Sequence, residues 1–243
     1  MKTNQFFGGR VSDWVDMFVS VIKSARGDPD AWETSIKKFE AHDLLYPPMK
    51  NAIVFVGSSS FTFWSTLEQD MEPLHVINRG FGGARMPDVL HYVERIVLLY
   101  HPRAVVLFAG TNDISGPKPA SARQVFDGYL EIVQHIQESL PDTIIYFVTI
   151  TPTPARWKYW HIAAEANRLI QAHTLTNPHL RFIDLTEHLL GADGKPDRNL
   201  YRIDRLHPNS RGYVKWTAVI KPVLEADLTF DDGNGGFKDS FIG

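Results

Sequence analysis

Five apolar residues, Ala52-Ile-Val-Phe-Val56, run without interruption into Gly57 and three serines, Ser58, Ser59 and Ser60. A run so rich in β-branched residues, closed by a turn signal, predicts a parallel strand buried on both faces and ending at the carboxyl edge of a sheet. Further strands are predicted over residues 75–78, 104–109, 143–150 and 181–185. Helical periodicity fills the intervals. Val89, Leu90, Val93, Ile96 and Val97 share one face, as do Val125, Tyr129, Val133, Ile136 and Leu140. A third helix is predicted over roughly 159–175, and a fourth carries Tyr213, Trp216, Val219, Ile220, Val223 and Leu224. Strands alternating with helices of this length predict a five-stranded parallel sheet covered on both faces, a flavodoxin-like three-layer α/β/α sandwich.

The amino-terminal part has a different pattern. Residues 11–45 read as helical, with one apolar stripe of Trp14, Val15, Phe18, Val19 and Ile22 and a second of Trp32, Ile36 and Phe39. Asp30, three positions before Glu33, supplies a helix-start signal. No strand alternates with these helices, and Pro47-Pro48 closes the segment. Residues 1–50 are therefore expected to form a helical extension packed on a main domain over 51–226. Residues 227–243, rich in Gly and Asp, are expected to form a loose tail.

Composition narrows the functional classes. A formal net charge of −3 gives no electrostatic case for nucleic acid or an anionic membrane. No cysteine is present, which removes disulfides, thiolate metal sites and a cysteine nucleophile. No apolar run is long enough for stable membrane insertion, and the first ten residues lack the apolar core of a secretory signal, so a cytoplasmic location is expected.

Four polar blocks fall at the active edge of the predicted sheet or in the loop before the last helix. They are Gly57-Ser-Ser-Ser60, Asn78-Arg-Gly-Phe-Gly-Gly83, Gly110-Thr-Asn-Asp113 and Asp204-Arg-Leu-His-Pro-Asn209. Each alone has an ordinary explanation as a turn or cap. Jointly their chemistry is complementary. Acyl transfer by serine needs an imidazole base, a carboxylate to orient that imidazole, and donors for the developing oxyanion. The competing explanation is a binding module in which Gly57–Ser60 cradles an anion, and this leaves Asn112, Asp204 and His207 without a role. An α/β-hydrolase elbow would require glycine where Phe61 stands. The Ser-x-x-Lys matches at Ser20–Lys23 and Ser35–Lys38 lie inside predicted helices. No further cluster with ligand spacing accompanies Asp204 and His207, so neither a metal nor another cofactor is expected.

The four blocks, in this order over about residues 51–224, resemble the SGNH hydrolases, also called GDSL esterases and lipases. The resemblance implies the three-layer fold, an ester-hydrolysing activity on a small-molecule substrate, and specific roles. Ser59 would be the nucleophile, Gly83 and Asn112 oxyanion donors, and Asp204 and His207 the remaining members of a triad. Ser58 stands where the family usually has Asp, and an inactive binding module of the same fold is the alternative. Ile114, Trp157 and Leu206, on loops beside the blocks, are candidate pocket residues; Trp157 and Trp160 are equally suited to helix packing. No long apolar groove is evident, which favours short acyl esters.

Overall fold

The computed structural model describes residues 11–228. Two helices, α1 (Val11–Ala25) and α2 (Glu33–Leu45), precede a regular alternation. It runs β1 (Ile53–Gly57), α3 (Ser59–Thr62), α4 (Leu67–Met71), β2 (Val76–Gly80), α5 (Met86–Ile96) and β3 (Ala104–Phe108). It continues through α6 (Ala122–Ser139), β4 (Ile144–Val148), α7 (Trp160–Thr174), β5 (Leu180–Ile183), α8 (Thr186–Leu189) and α9 (Ser210–Leu228). All strand pairings are parallel, in the order β2-β1-β3-β4-β5. Because the order reverses at β1, the loops after β1 and β3 diverge and leave a crevice at the carboxyl edge.

The alternation of side chains along each strand divides the core in two. Val54, Val56, Val105, Leu107, Ile145 and Phe147 face a layer that includes α2, α5, α6 and α7. Ile53, Phe55, Val106, Tyr146 and Val148 face the other, built on α9 with α3, α4 and α8. Each fully buried large apolar side chain contributes about 1.5–3 kcal/mol, and three such layers are what an all-parallel sheet requires. The three-layer α/β/α sandwich with five parallel strands is thus the observed architecture.

Three local expectations need correction. First, β2 reaches Gly80 rather than stopping at Asn78. Asn78 and Arg79 interrupt the apolar run, but both are satisfied. Asn78 donates to Phe61 O at 2.7 Å, and buried Arg79 grips Asp43 at 2.5 and 2.6 Å and Tyr100 at 2.8 Å. Second, the α1 stripe is not a buried face. Val15, Phe18, Val19 and Ile22 are exposed, and the helix instead turns Trp14, Met17 and Ser20 toward the protein, with Val21, itself 41% exposed, reaching Gly83 through one methyl. Third, Asp30 does not cap α2 through its side chain. The helix starts after Trp32, and Glu33 is engaged with Arg95 at 2.7 Å. At the far end, Asp227 and Leu228 still belong to α9, where Asp227 accepts from the Tyr146 hydroxyl at 3.0 Å. The Gly- and Asp-rich tail from 229 onward lies outside the described residues, as do residues 1–10.

Candidate active site

Gly57 opens the site because no other residue fits there. Its φ is +145°, and a Cβ would stand 1.9 Å from Phe108 O on the adjoining strand. The Ser58 N–H donates to that same carbonyl at 3.0 Å, so the chain crosses the end of β3 and turns into α3 with Ser59 at its first position. Two attachments fix α3. Phe61 packs among Phe55, Phe108 and Trp216, and the buried Tyr213 hydroxyl of α9 donates to Ser60 O at 2.8 Å.

His207 arrives from a loop that ends at α9. Asn209 caps that helix, its Oδ1 accepting the N–H groups of Arg211 and Gly212 at 2.9 and 3.1 Å. Between the sheet and this cap the chain turns sharply at Arg205, φ +59°. The turn folds Asp204 back on His207. Asp204 Oδ1 accepts the Leu206 N–H at 2.8 Å and the His207 N–H at 3.0 Å, while Oδ2 meets His207 Nδ1 at 2.7 Å. Burial alone would raise the Asp204 carboxyl. The His207 ring N–H and the two backbone N–H groups outweigh it and hold the carboxyl down at about 2. An ionised Asp204 only accepts, which places the imidazole proton on Nδ1 and turns the Nε2 lone pair outward. Nε2 lies 2.7 Å from Ser59 Oγ. Ser59, His207 and Asp204 thus form one continuous hydrogen-bonded line.

The third and second blocks are stitched together beside this line. Asn112 Nδ2 donates one hydrogen to Ala84 O at 3.0 Å, which fixes the amide and leaves its other hydrogen available. Asp113 Oδ1 accepts the Met86 N–H at 3.0 Å. The second block is held from the other side by the Trp32 indole, which donates to Gly82 O at 2.8 Å. Burial pushes the Asp113 carboxyl up to about 6, against the opposing effect of the Met86 N–H. Its value in the unfolded chain is near ~3.9, so the folded state binds the extra proton between these values, and stability falls as pH rises through them. Asp113→Asn keeps an acceptor for Met86 and removes the buried charge. Its melting temperature should therefore rise relative to that of the parent between pH 4 and pH 8, as followed by scanning fluorimetry; a constant difference over that range would contradict the assignment.

Ser59 and Asn112 share a recess of about 10 Å³ with Ser58, Thr111, Thr153 and Leu206. Of the three pocket candidates, Leu206 borders this recess. Ile114 and Trp157 do not. Ile114 is buried in the core beneath the third block, and Trp157 stacks on Trp160 at 5.9 Å. Gly83 does not line the recess either. With φ +88° it lies against α1, where a Cβ would be 2.4 Å from Val21 Cγ2. Two residues beside the imidazole escaped sequence reasoning. Phe63 presents its ring to His207 edge-on at 4.9 Å, and Trp14 of α1 does so at 5.3 Å while stacking on Phe63 at 4.3 Å. The spacing of Trp14, Met17 and Val21 was a helical face in its own right, but the more apolar neighbouring stripe masked it.

The sequence pattern of GDSL-like lipases and acylhydrolases matches residues 55–215, which contain all four blocks. The protein belongs to this family, and it is an ester hydrolase. Solved structures share its fold. A GDSL-like lipase from Bacteroides thetaiotaomicron superposes with a TM-score of 0.67 at 19% identity, over 79% of this chain and 98% of that one. For a lipase/acylhydrolase from Enterococcus faecalis the TM-score is 0.56 at 20% identity, over 74% and 97% of the two chains. A catalytic mutant of an acetylxylan esterase from Geobacillus stearothermophilus gives 0.56 at 15% identity, over 70% and 92%. Among curated proteins none matches the chain. No described helix is long and apolar enough to cross a membrane.

Proposed function

We propose that the protein is a serine esterase acting on short acyl esters, with Ser59 as nucleophile, His207 as general base and acid, and Asp204 as the group that orients and charges against His207. The observation that carries this reading is the unbroken line from Ser59 Oγ through both ring nitrogens of His207 to Asp204, with each separation 2.7 Å. Ser59 Oγ attacks the ester carbonyl carbon as its proton passes to His207 Nε2. The carbonyl oxygen becomes an oxyanion, for which the free Asn112 amide hydrogen and the Ser59 N–H are the donors at the recess, with the Gly83 N–H, outside the recess in this arrangement, as the third. Collapse expels the alcohol, protonated from Nε2, and leaves an acyl-serine. Water, deprotonated by the same nitrogen, then releases the acid and restores Ser59.

The reading is tested by treating the protein with a fluorophosphonate, which reacts with activated serines, and locating the adduct by peptide mass spectrometry. A single adduct on the Ser59 peptide is expected. An adduct on Ser58 or Ser60, or none from protein with intact secondary structure, would refute the assignment. Asn112→Ala should lower kcat by about 10²–10³, the ordinary cost of one oxyanion donor, with a far smaller change in KM. An unchanged kcat would remove Asn112 from the mechanism.

A further inference from the structure

Helix α1 lies ahead of the family-matched segment, yet it lies against His207 at one end and the glycines of the second block at the other. Its Trp14 ring covers the His207 imidazole and the adjoining Phe63. One turn on, Met17 is pressed against Gly82 so closely that a Cβ there would be 2.6 Å from Met17 Cγ. A further turn on, Val21 stands against Gly83. Trp14, Met17 and Val21 therefore run as one helical face from the base to the oxyanion glycine.

The site beneath has little room in it. Ser59 is 6% exposed and His207 4%, and the free space beside Ser59 is about 10 Å³. That volume is on the order of one water-probe sphere, whereas small-molecule sites run to about 300–1,000 Å³. No ester reaches Ser59 in this arrangement. A much larger cleft, about 930 Å³, lies just across Met17. It follows the open edge of β2 and is bounded by Asp16, Met17, Thr62, Phe81 and Gly82, among others. Thr62 is in the same short helix as Ser59, and Gly82 is the neighbour of Gly83, so the cleft that Met17 of α1 borders reaches the segments carrying Ser59 and Gly83.

The attachment of α1 is also unlike that of a core helix. Val15, Phe18, Val19 and Ile22 are exposed, with Phe18 66% exposed, and Val21 is itself 41% exposed although one methyl meets Gly83. The Trp14 indole N–H is shielded from solvent and has no hydrogen-bond partner among the described residues, a cost that the covered position carries. A carboxylate–ammonium contact, Asp16 with Lys38, ties α1 to α2.

We propose that α1 is a lid, here closed over the reaction site, and that Trp14, Met17 and Val21 must withdraw before an ester can reach Ser59, opening the recess into the cleft beside β2. This rests on the esterase reading of Ser59 and His207. The apparent affinity for substrate is then reduced by the fraction of molecules with α1 displaced, and weakening the closed state restores it. Bulky acyl groups need the full withdrawal and feel this most.

The test compares the parent with Trp14→Ala/Met17→Ala, using diisopropyl fluorophosphate as a compact probe and an octyl fluorophosphonate as a long one. The labelling rate of Ser59 by the octyl probe should rise at least about tenfold in the variant, and by more than the rate for the compact probe. In the parent protein, the α1 amides should lose hydrogen-exchange protection once Ser59 carries the octyl phosphonate, a readout that needs no substitution. Equal labelling rates in the two proteins together with undiminished α1 protection would overturn the lid while leaving the esterase reading intact. A fall in rate for both probes would instead make Trp14 a positioning residue for His207 and overturn the lid. Absence of label from both proteins would overturn the esterase reading, and the lid with it.

Discussion

Ser59→Ala is expected to lower kcat/KM for p-nitrophenyl acetate by on the order of 10⁴-fold or more, with the fold unchanged. The size of the effect follows from the geometry. Ser59 Oγ is the atom aligned with His207 Nε2 at 2.7 Å, and alanine leaves the base facing nothing that can attack a carbonyl. The small effect on folding has an equally direct origin. The Ser59 hydroxyl makes one side-chain hydrogen bond, worth about 1 kcal/mol net, while Gly57, the Phe61 aromatic cluster and the Tyr213–Ser60 bond hold α3 in place. A loss of that bond should shift the melting temperature by only about 2–4 °C for a chain of this size. Residual activity within tenfold of the parent would mean that another hydroxyl performs the attack. Ser58 and Ser60 border the same recess, so Ser58→Ala and Ser60→Ala belong in the same experiment.

Asp204→Asn should reduce kcat by about 10⁴ while leaving KM for a small ester within a few-fold. The asparagine amide is nearly isosteric, but it can donate toward Nδ1. The proton then moves to Nε2, which can no longer accept from Ser59. The imidazolium formed in the transition state also loses the adjacent negative charge. Stability supplies a second signature. The folded Asp204 carboxyl sits at about 2, below the unfolded value of ~3.9. Its contribution is therefore fully present above the unfolded value and is lost as pH falls through the folded one. The variant should be less stable than the parent at pH 7, with the difference shrinking as pH falls toward 2, which acid titration followed by circular dichroism would measure. A variant with kcat within tenfold of the parent would exclude Asp204 from the orienting role.

The sheet was readable because its central strands repeat the same demand. A run such as Ala52–Val56 or Ala104–Ala109, apolar on both faces, can be satisfied only between two helical layers, whatever the rest of the chain does. Errors at the edges have a matching cause. Arg79 is a charged residue whose burial depends on Asp43, contributed by a helix distant in sequence, and no local pattern announces that partnership. The polar blocks were readable for a different reason. Gly57 must be glycine because of the neighbouring carbonyl, and Asp204 must precede His207 by a tight turn if its carboxylate is to reach both the backbone and the ring. The pocket residues were less accessible. Ile114 follows directly on the third block, but the chain turns it inward there, so nearness in sequence was a poor guide to what borders the recess.

By itself, then, the sequence determined the three-layer architecture, the four blocks and the chemical identity of the groups at the sheet's carboxyl edge, because those depend on periodicity and on residues a few positions apart. What only the tertiary structure decided was which of those groups meet and what stands over them. Ser59 and His207 are 148 residues apart and their 2.7 Å contact exists because α9 and the strands share one core. The covering of His207 by Trp14 likewise depends on which face α1 turns inward. A helix apolar on more than one side carries no local instruction for that choice; it is settled by the shape of the surface it meets, here the glycines at 82 and 83 and the ring of Phe63.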